Sequence, residues 1–294
     1  MSEALLGSLE AGGTKMVLAV GHADGTIVER AEIPTRAPEA CVPEMVEWFG
    51  ARDIAALGVG AFGPTAVNPA SPEYGHILKT PKQGWEGYDL RGTLARGLSV
   101  PVGYDTDVNA ACLGEVAFGS AKGLDVVVYL TVGTGIGAGV MVDGNLLHGM
   151  MHPEAGHIFV RRRNGDTVES TCPCHDSCLE GLAAGPAIER RWGKPGRELA
   201  DVQRVWELES EYLAEGLVTY IMCYSPQRIV LGGGVMKQQQ LFGLVREKVA
   251  RDLNGYLCCT ELDDLDSYIV EASCGGDQGI LGGLELARRA LETA

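Results

Sequence analysis

Two glycine-rich turns, each flanked by apolar strand-like runs, limit what this 294-residue chain can fold into. Leu5–Leu9 and Lys15–Val20 enclose Glu10, Ala11, Gly12, Gly13 and Thr14, while Val126–Thr131 and Ala138–Val142 enclose Val132, Gly133, Thr134, Gly135, Ile136 and Gly137. Each reads as a hairpin, and the recurrence predicts two lobes that echo one another. Helical periodicity over Cys41–Phe49, a short apolar strand at Ala56–Gly60, a strand at Val100–Tyr104 and a helix opening at Asp107 give the first lobe an α/β layout. The second adds helices around Leu182–Trp192, Val202–Cys223 and Gln238–Leu253 with a buried strand at Arg228–Leu231. The expected division is residues 1–119 for the first lobe, completed by the C-terminal helix within 280–294, and 120–279 for the second.

Composition removes several classes of partner. With 46% hydrophobic and 21% charged residues the chain is an ordinary globular one. A formal charge of −15 argues against binding a phosphate backbone, which needs a basic surface. The run Arg161, Arg162, Arg163 is the one basic cluster and reads as solvated loop. There is no apolar run of membrane-spanning length and no signal-peptide layout at the N-terminus, so the expectation is a cytosolic protein without a membrane partner. In a reducing compartment Cys41, Cys112, Cys223, Cys258, Cys259 and Cys274 are expected in the core.

A backbone that approaches phosphate oxygens closely needs residues without a Cβ, and a nearby hydroxyl or ammonium adds donors. Gly12, Gly13, Thr14 and Lys15 meet that requirement, against the plainer alternative of a simple hairpin turn. The second turn is no dinucleotide fingerprint, because GxGxxG would need glycine at Ala138, and a P-loop GxxxxGK[ST] is absent. Two glycine hairpins gripping one nucleotide remain. Asp107, just after a strand, can be an N-cap or a carboxylate that accepts a hydroxyl proton, with Asp105 competing for the second role.

Between Glu154 and Glu180 the chain gathers His157, Cys172, Cys174, His175 and Cys178. Thiolates and imidazoles at short spacing are zinc ligands, and four can be drawn in two ways: His157, Cys172, His175 and Cys178, or the same set with Cys174 for His175. A redox CxC would leave both histidines unexplained. A closed structural zinc with the first set is preferred. The two glutamates need another task.

Taken together, EAGGTK (10–15), GAFGP (60–64), TDVNAACLGE (106–115), LTVGTGIGAG (130–139), EAGH (154–157) and CPCHDSCLEG (172–181) resemble the ROK family of sugar kinases and repressors, nearest its zinc-containing fructokinase branch. The resemblance covers nearly the whole chain in order. It implies an α/β, two-lobed, actin-like ATPase fold with the active site in the interlobe cleft, and an ATP-dependent, Mg²⁺-assisted hexose kinase. It makes Asp107 the general base and puts Gly63, Pro64, Thr80, Glu154, His157 and Glu180 around the sugar. Gly12, Thr14, Lys15, Thr131, Gly133 and Thr134 would meet the phosphates, with Pro186 and Gly233, Gly234, Val235 and Met236 on the adenosine side. Glu10 stands where many relatives carry aspartate and Thr106 where they carry asparagine, departures that the fructokinase branch tolerates. Fructose is therefore the expected hexose, with glucose, mannose and N-acetylmannosamine as alternatives, and a homodimer the implied assembly. A repressor would need a helix-turn-helix ahead of the first hairpin, which begins within ten residues of Met1, and the acidic balance also speaks against it.

Overall fold

A computed structural model describes residues 4–294. The chain divides into two compact units: Met1–Gly123 with Leu146–Pro153 and Ser273–Ala294, and Leu124–Asn145 with Glu154–Ala272. Residues 120–123, 146–153 and 273–279, assigned to the second lobe on sequence, therefore group with unit 1.

Unit 1 is built on strands β1 (Leu6–Ala11), β2 (Lys15–Gly21), β3 (Ile27–Pro34), β4 (Ala56–Ala61) and β5 (Val102–Thr106), in the order β3-β2-β1-β4-β5. β1 pairs antiparallel with β2 and parallel with β4, and β5 extends the parallel half. Helices α1 (Pro38–Gly50), α2 (Leu90–Leu98) and α3 (Asp107–Ala117) follow the strands. Leu9, Leu18, Phe49, Leu57, Val59 and Trp85 belong to the buried core on one side. On the other, the C-terminal helix Gln278–Glu292 buries Ile280, Leu284 and Ala287. That helix lies so close to β4 that a Cβ on Gly58 would stand 1.8 Å from the Gly283 carbonyl oxygen. Glycine here is a packing requirement.

Unit 2 repeats the plan. Its strands β6 (Val127–Val132), β7 (Ile136–Val142), β8 (Asn145–Leu146), β9 (Arg228–Gly232) and β10 (Ile269–Glu271) run in the order β10-β9-β6-β7-β8, again with an antiparallel hairpin beside parallel neighbours. Its helices are α4 (Leu179–Ala183), α5 (Gly185–Trp192), α6 (Gln203–Tyr224), α7 (Gln240–Leu253) and the short α8 (Leu265–Tyr268); the C-terminal helix is α9. The expected single helix over 182–192 is broken. Ala184 is extended, Pro186 in the first turn of α5 has no N–H, and the Gly185 amide bonds the Gly133 carbonyl at 2.7 Å instead of continuing α4.

Three other expectations need correction. β3 and α2 were not foreseen. Cys41 and Cys112 are buried and Cys274 partly so, but Cys223, Cys258 and Cys259 are exposed. The arginine run is only in part a solvated face, since Arg163 is half-buried and pairs with Glu215 at 2.8 Å. Among the described residues no helix is long and apolar enough to cross a membrane.

Candidate active site and metal centre

In unit 1 the first glycine turn closes where the Gly12 amide donates to the Lys15 carbonyl at 3.0 Å. A Cβ on Gly12 would lie 2.6 Å from that oxygen, so the turn admits only glycine. Thr35 brackets it, the amide donating to the Thr14 carbonyl (3.0 Å) and the hydroxyl to the Gly12 carbonyl (2.8 Å). Lys15, the expected phosphate-side ammonium, instead pairs with Glu32 of β3 at 2.7 Å. Lys82 occupies the turn: its Nζ donates to the Gly13 carbonyl at 3.1 Å.

Asp107 heads α3, but the cap is Thr106, whose hydroxyl accepts from the Asn109 amide at 3.1 Å. The N-cap role considered for Asp107 is thus taken by its neighbour, which leaves a half-buried carboxylate whose Oδ1 accepts from the Val108 amide at 2.8 Å. Asp105 is buried and already committed. Its Oδ1 accepts from the Thr106 amide (2.8 Å) and Asn109 Nδ2 (2.6 Å), and its Oδ2 meets His148 Nε2 at 2.8 Å. Geometry therefore removes Asp105 as a competing base.

Glu10, at the end of β1, feels both burial and the negative charge of Asp107, which together raise its carboxyl above the ordinary value against the pull of Lys15 and Arg30. Two carboxyl groups that repel each other beside a phosphate-type turn are hard oxygen donors of the kind Mg²⁺ accepts along with substrate phosphates. The donor set fits that ion. Nearby, the Gly63–Pro64 peptide bond is cis. The Leu78 amide donates to the Pro64 carbonyl at 2.8 Å, which draws the stretch ending at buried Thr80 toward that turn.

In unit 2 two short backbone links, Leu179 amide to Ile158 carbonyl (2.9 Å) and Val160 amide to Ser177 carbonyl (3.0 Å), hold His157 beside Cys178. His157 Nδ1 lies 3.7 Å from both Cys172 Sγ and Cys178 Sγ, and His175 Nδ1 lies 3.5 Å from Cys172 Sγ. Ligands about 2.0–2.3 Å from a tetrahedral zinc stand about 3.3–3.8 Å apart, so these separations fit that ion. All four ligand atoms fall within 4.8 Å of one another, while Cys174 is exposed and outside the group. Burial, with Cys172 adding to it, pushes the Cys178 thiol up to about 11. A divalent cation reverses that preference.

His157 has a second face. Its Nε2 lies 3.9 Å from Glu180 Oε1, and Glu180 Oε2 accepts from the Ile136 amide at 2.9 Å. One carboxylate thereby touches both the ligand cluster and the second glycine turn, where a Cβ on Gly135 would come 2.7 Å from it. Glu154 is exposed and precedes the turn Ala155–His157, its carbonyl accepting from the His157 amide at 2.9 Å.

Beside the second turn lies a cavity of about 610 Å³, a size suited to a nucleotide. Of the expected residues, Gly133, Thr134, Pro186, Gly234 and Val235 line it. Thr131, Gly233 and Met236 do not. Gly233, at φ +93°, packs against β6, where a Cβ would lie 2.4 Å from the Val132 carbonyl oxygen, and Met236 is buried. The sequence reading missed Ile188, Pro195, Gly196 and Trp206 on the apolar wall, and Glu189, Arg197, Lys237 and Gln238 among the polar lining. The Pro195-Gly196 pair was the available signal, a turn placed between two helices.

The ROK family model matches residues 6–290. A putative fructokinase of Bacillus subtilis (strain 168) is 49% identical, the alignment covering 98% of this chain and 97% of the relative. A fructokinase of Pediococcus pentosaceus is 44% identical, covering 99% and 100%. The solved structure of a ROK hexokinase from Thermus thermophilus has a TM-score of 0.82 at 26% identity, over 99% of this chain and 100% of that one. The fold is the actin-like ATPase fold of the sugar kinases.

Proposed function

Because the chain belongs to the ROK family, we infer that it is an ATP-dependent fructokinase that converts D-fructose to fructose 6-phosphate. The observation that carries this reading is end-to-end similarity to fructokinases at 44–49% identity. Asp107, half-buried at a helix start and not consumed as a cap, is the group to take the proton from the attacking hydroxyl. Gly63, Pro64 and Thr80 belong to the sugar side in unit 1, and Glu154, His157 and Glu180 to the sugar side in unit 2. The turn residues Gly12, Gly13 and Thr14, with Lys15 behind them, Thr131, Gly133 and Thr134 orient phosphates through backbone and hydroxyl donors. Pro186, Gly234 and Val235 receive the nucleoside, supported from beneath by Gly233 and Met236. Mg²⁺, when bound near Glu10, neutralises charge on the transferring group.

His157, Cys172, His175 and Cys178 hold a structural zinc that cross-links the segment bearing Glu154 and Glu180. The proposed protein works as a homodimer in the cytoplasm, where ATP is supplied, and its acidic surface gives it no affinity for nucleic acid. A coupled ADP-release assay over fructose, mannose, glucose and N-acetylmannosamine with zinc-replete protein tests the reading. The highest kcat/KM is expected with fructose. Preference for another hexose overturns the substrate, and no turnover with any of them overturns the kinase.

A further inference from the structure

Lys15 is the lysine that the motif offers to the phosphates, and its charge is paired with Glu32 at 2.7 Å on the neighbouring strand. Lys82, 69 positions beyond Gly13, brings its Nζ to 3.1 Å from the Gly13 carbonyl. We propose that Lys82 is a catalytic residue of this enzyme, the ammonium that stabilises the phosphoryl group in transfer at the first glycine turn. The proposal rests on the kinase reading above.

Three features position that charge. The Lys82 ammonium stands 5.1 Å from the centroid of the buried Phe62 ring, within cation–π reach. Phe62 packs edge-on against Trp85, whose indole N–H donates to the Arg36 carbonyl (2.8 Å) and whose amide donates to the Lys82 carbonyl (3.1 Å). Gly13 makes room, since a Cβ there would lie 2.9 Å from Nζ. An ammonium has three donors and no acceptor, and the Gly13 carbonyl takes one. No carboxylate among the described residues pairs with it. Two donors and a full positive charge are therefore left beside a turn of the shape that cradles phosphate.

In the step proposed, the hexose hydroxyl oxygen bonds to the γ-phosphorus as the bond from that phosphorus to the β,γ-bridging oxygen breaks. The hydroxyl proton goes to Asp107, and ADP leaves with the bonding pair. Lys82 keeps its protons throughout. It acts on charge that builds on the phosphoryl oxygens, so its contribution appears in kcat more than in ground-state binding.

The test compares Lys82→Met and Lys82→Arg with wild type on fructose and ATP. Removing one donor aimed at transition-state charge should lower kcat about 100-fold. The fructose KM and the Kd for ADP should stay within about threefold and the melting temperature within about 2 °C. Arginine should restore at least about a tenth of kcat, because it keeps the charge but not the shape. A methionine variant with kcat within about threefold of wild type overturns the proposal. So does a parallel rise in fructose KM and fall in melting temperature that arginine leaves uncorrected, since that pattern belongs to a loop brace. Wild-type turnover of fructose in the same assay separates these outcomes from failure of the kinase reading, which silences the wild type as well.

Discussion

In unit 1 the proposed chemistry stands at strand ends: Glu10 is the penultimate residue of β1, Asp107 follows β5, and both rest on a sheet whose register runs without a break from β1 into β4 and β5. In unit 2 the carboxylates stand elsewhere. Glu154 and Glu180 flank a segment from Ile158 to Cys178 that contains no strand or helix, tied by a few backbone bonds and by four ligand atoms within 4.8 Å. The same sheet order thus supports two kinds of rigidity. A strand end inherits its position from the core, while the unit 2 segment must be cross-linked to keep one.

The sharpest test of that contrast is Asp107→Asn. The amide retains an oxygen for the Val108 amide, so α3 and the sheet should be undisturbed. Loss of the base should lower kcat by about 10²–10⁴, with hexose and nucleotide affinity nearly unchanged. Steady-state kinetics beside calorimetric binding measure both quantities. A kcat near that of wild type would remove Asp107 from the reaction; Asp105 is already committed to the Thr106 amide and to the Asn109 and His148 side chains.

Next in size is metal removal. Cys178→Ser, or exhaustive chelation, should release one zinc per chain and destabilise unit 2 by on the order of 3 kcal/mol, with loss of activity. Hydrogen exchange carries the comparison further. Amides of 158–178 should lose protection, while those of β1 and β2 keep theirs. Equal loss in both units would show that the metal supports the whole molecule. Retained protection in 158–178 would show that the backbone bonds and the Arg163–Glu215 pair suffice without it.

Legibility in the sequence follows the same division. The glycine hairpins were readable because a turn, its flanking strands and its glycines are local. β3 was missed because as an edge strand it carries Glu29, Arg30 and Glu32 on exposed positions, and its apolar alternation is confined to Ala31 and Ile33. α2 was missed because only Leu90 and Leu94 are buried in it. The ligand types in unit 2 were plain, but the choice of His175 over Cys174 depended on which side chain faces Cys172. Lys82 could not be found from sequence at all, since its relation to Gly13 exists only after 69 residues have folded back.

The smallest expected effect concerns His148, which unit 1 holds through Asp105. That hydrogen bond raises the imidazole above its ordinary value, with partial burial opposing. Tyr74 and Tyr104 also sense Asp105, but their phenols are pushed upward, chiefly by burial, and stay neutral in the range where the imidazole titrates. A folded value above the unfolded one means the protonated ring adds stability that is fully present below about pH 6.5. That stability is lost as pH rises through the folded value. His148→Gln should therefore cost most at mildly acid pH, at most about 2 kcal/mol, and less at higher pH. Hydrogen exchange in β5 and α3, followed against pH in both proteins, measures the difference. A penalty that does not change with pH would mean that His148 serves Asp105 as a neutral donor, and that the strand-end site of unit 1 is as indifferent to protons as a metal-braced one.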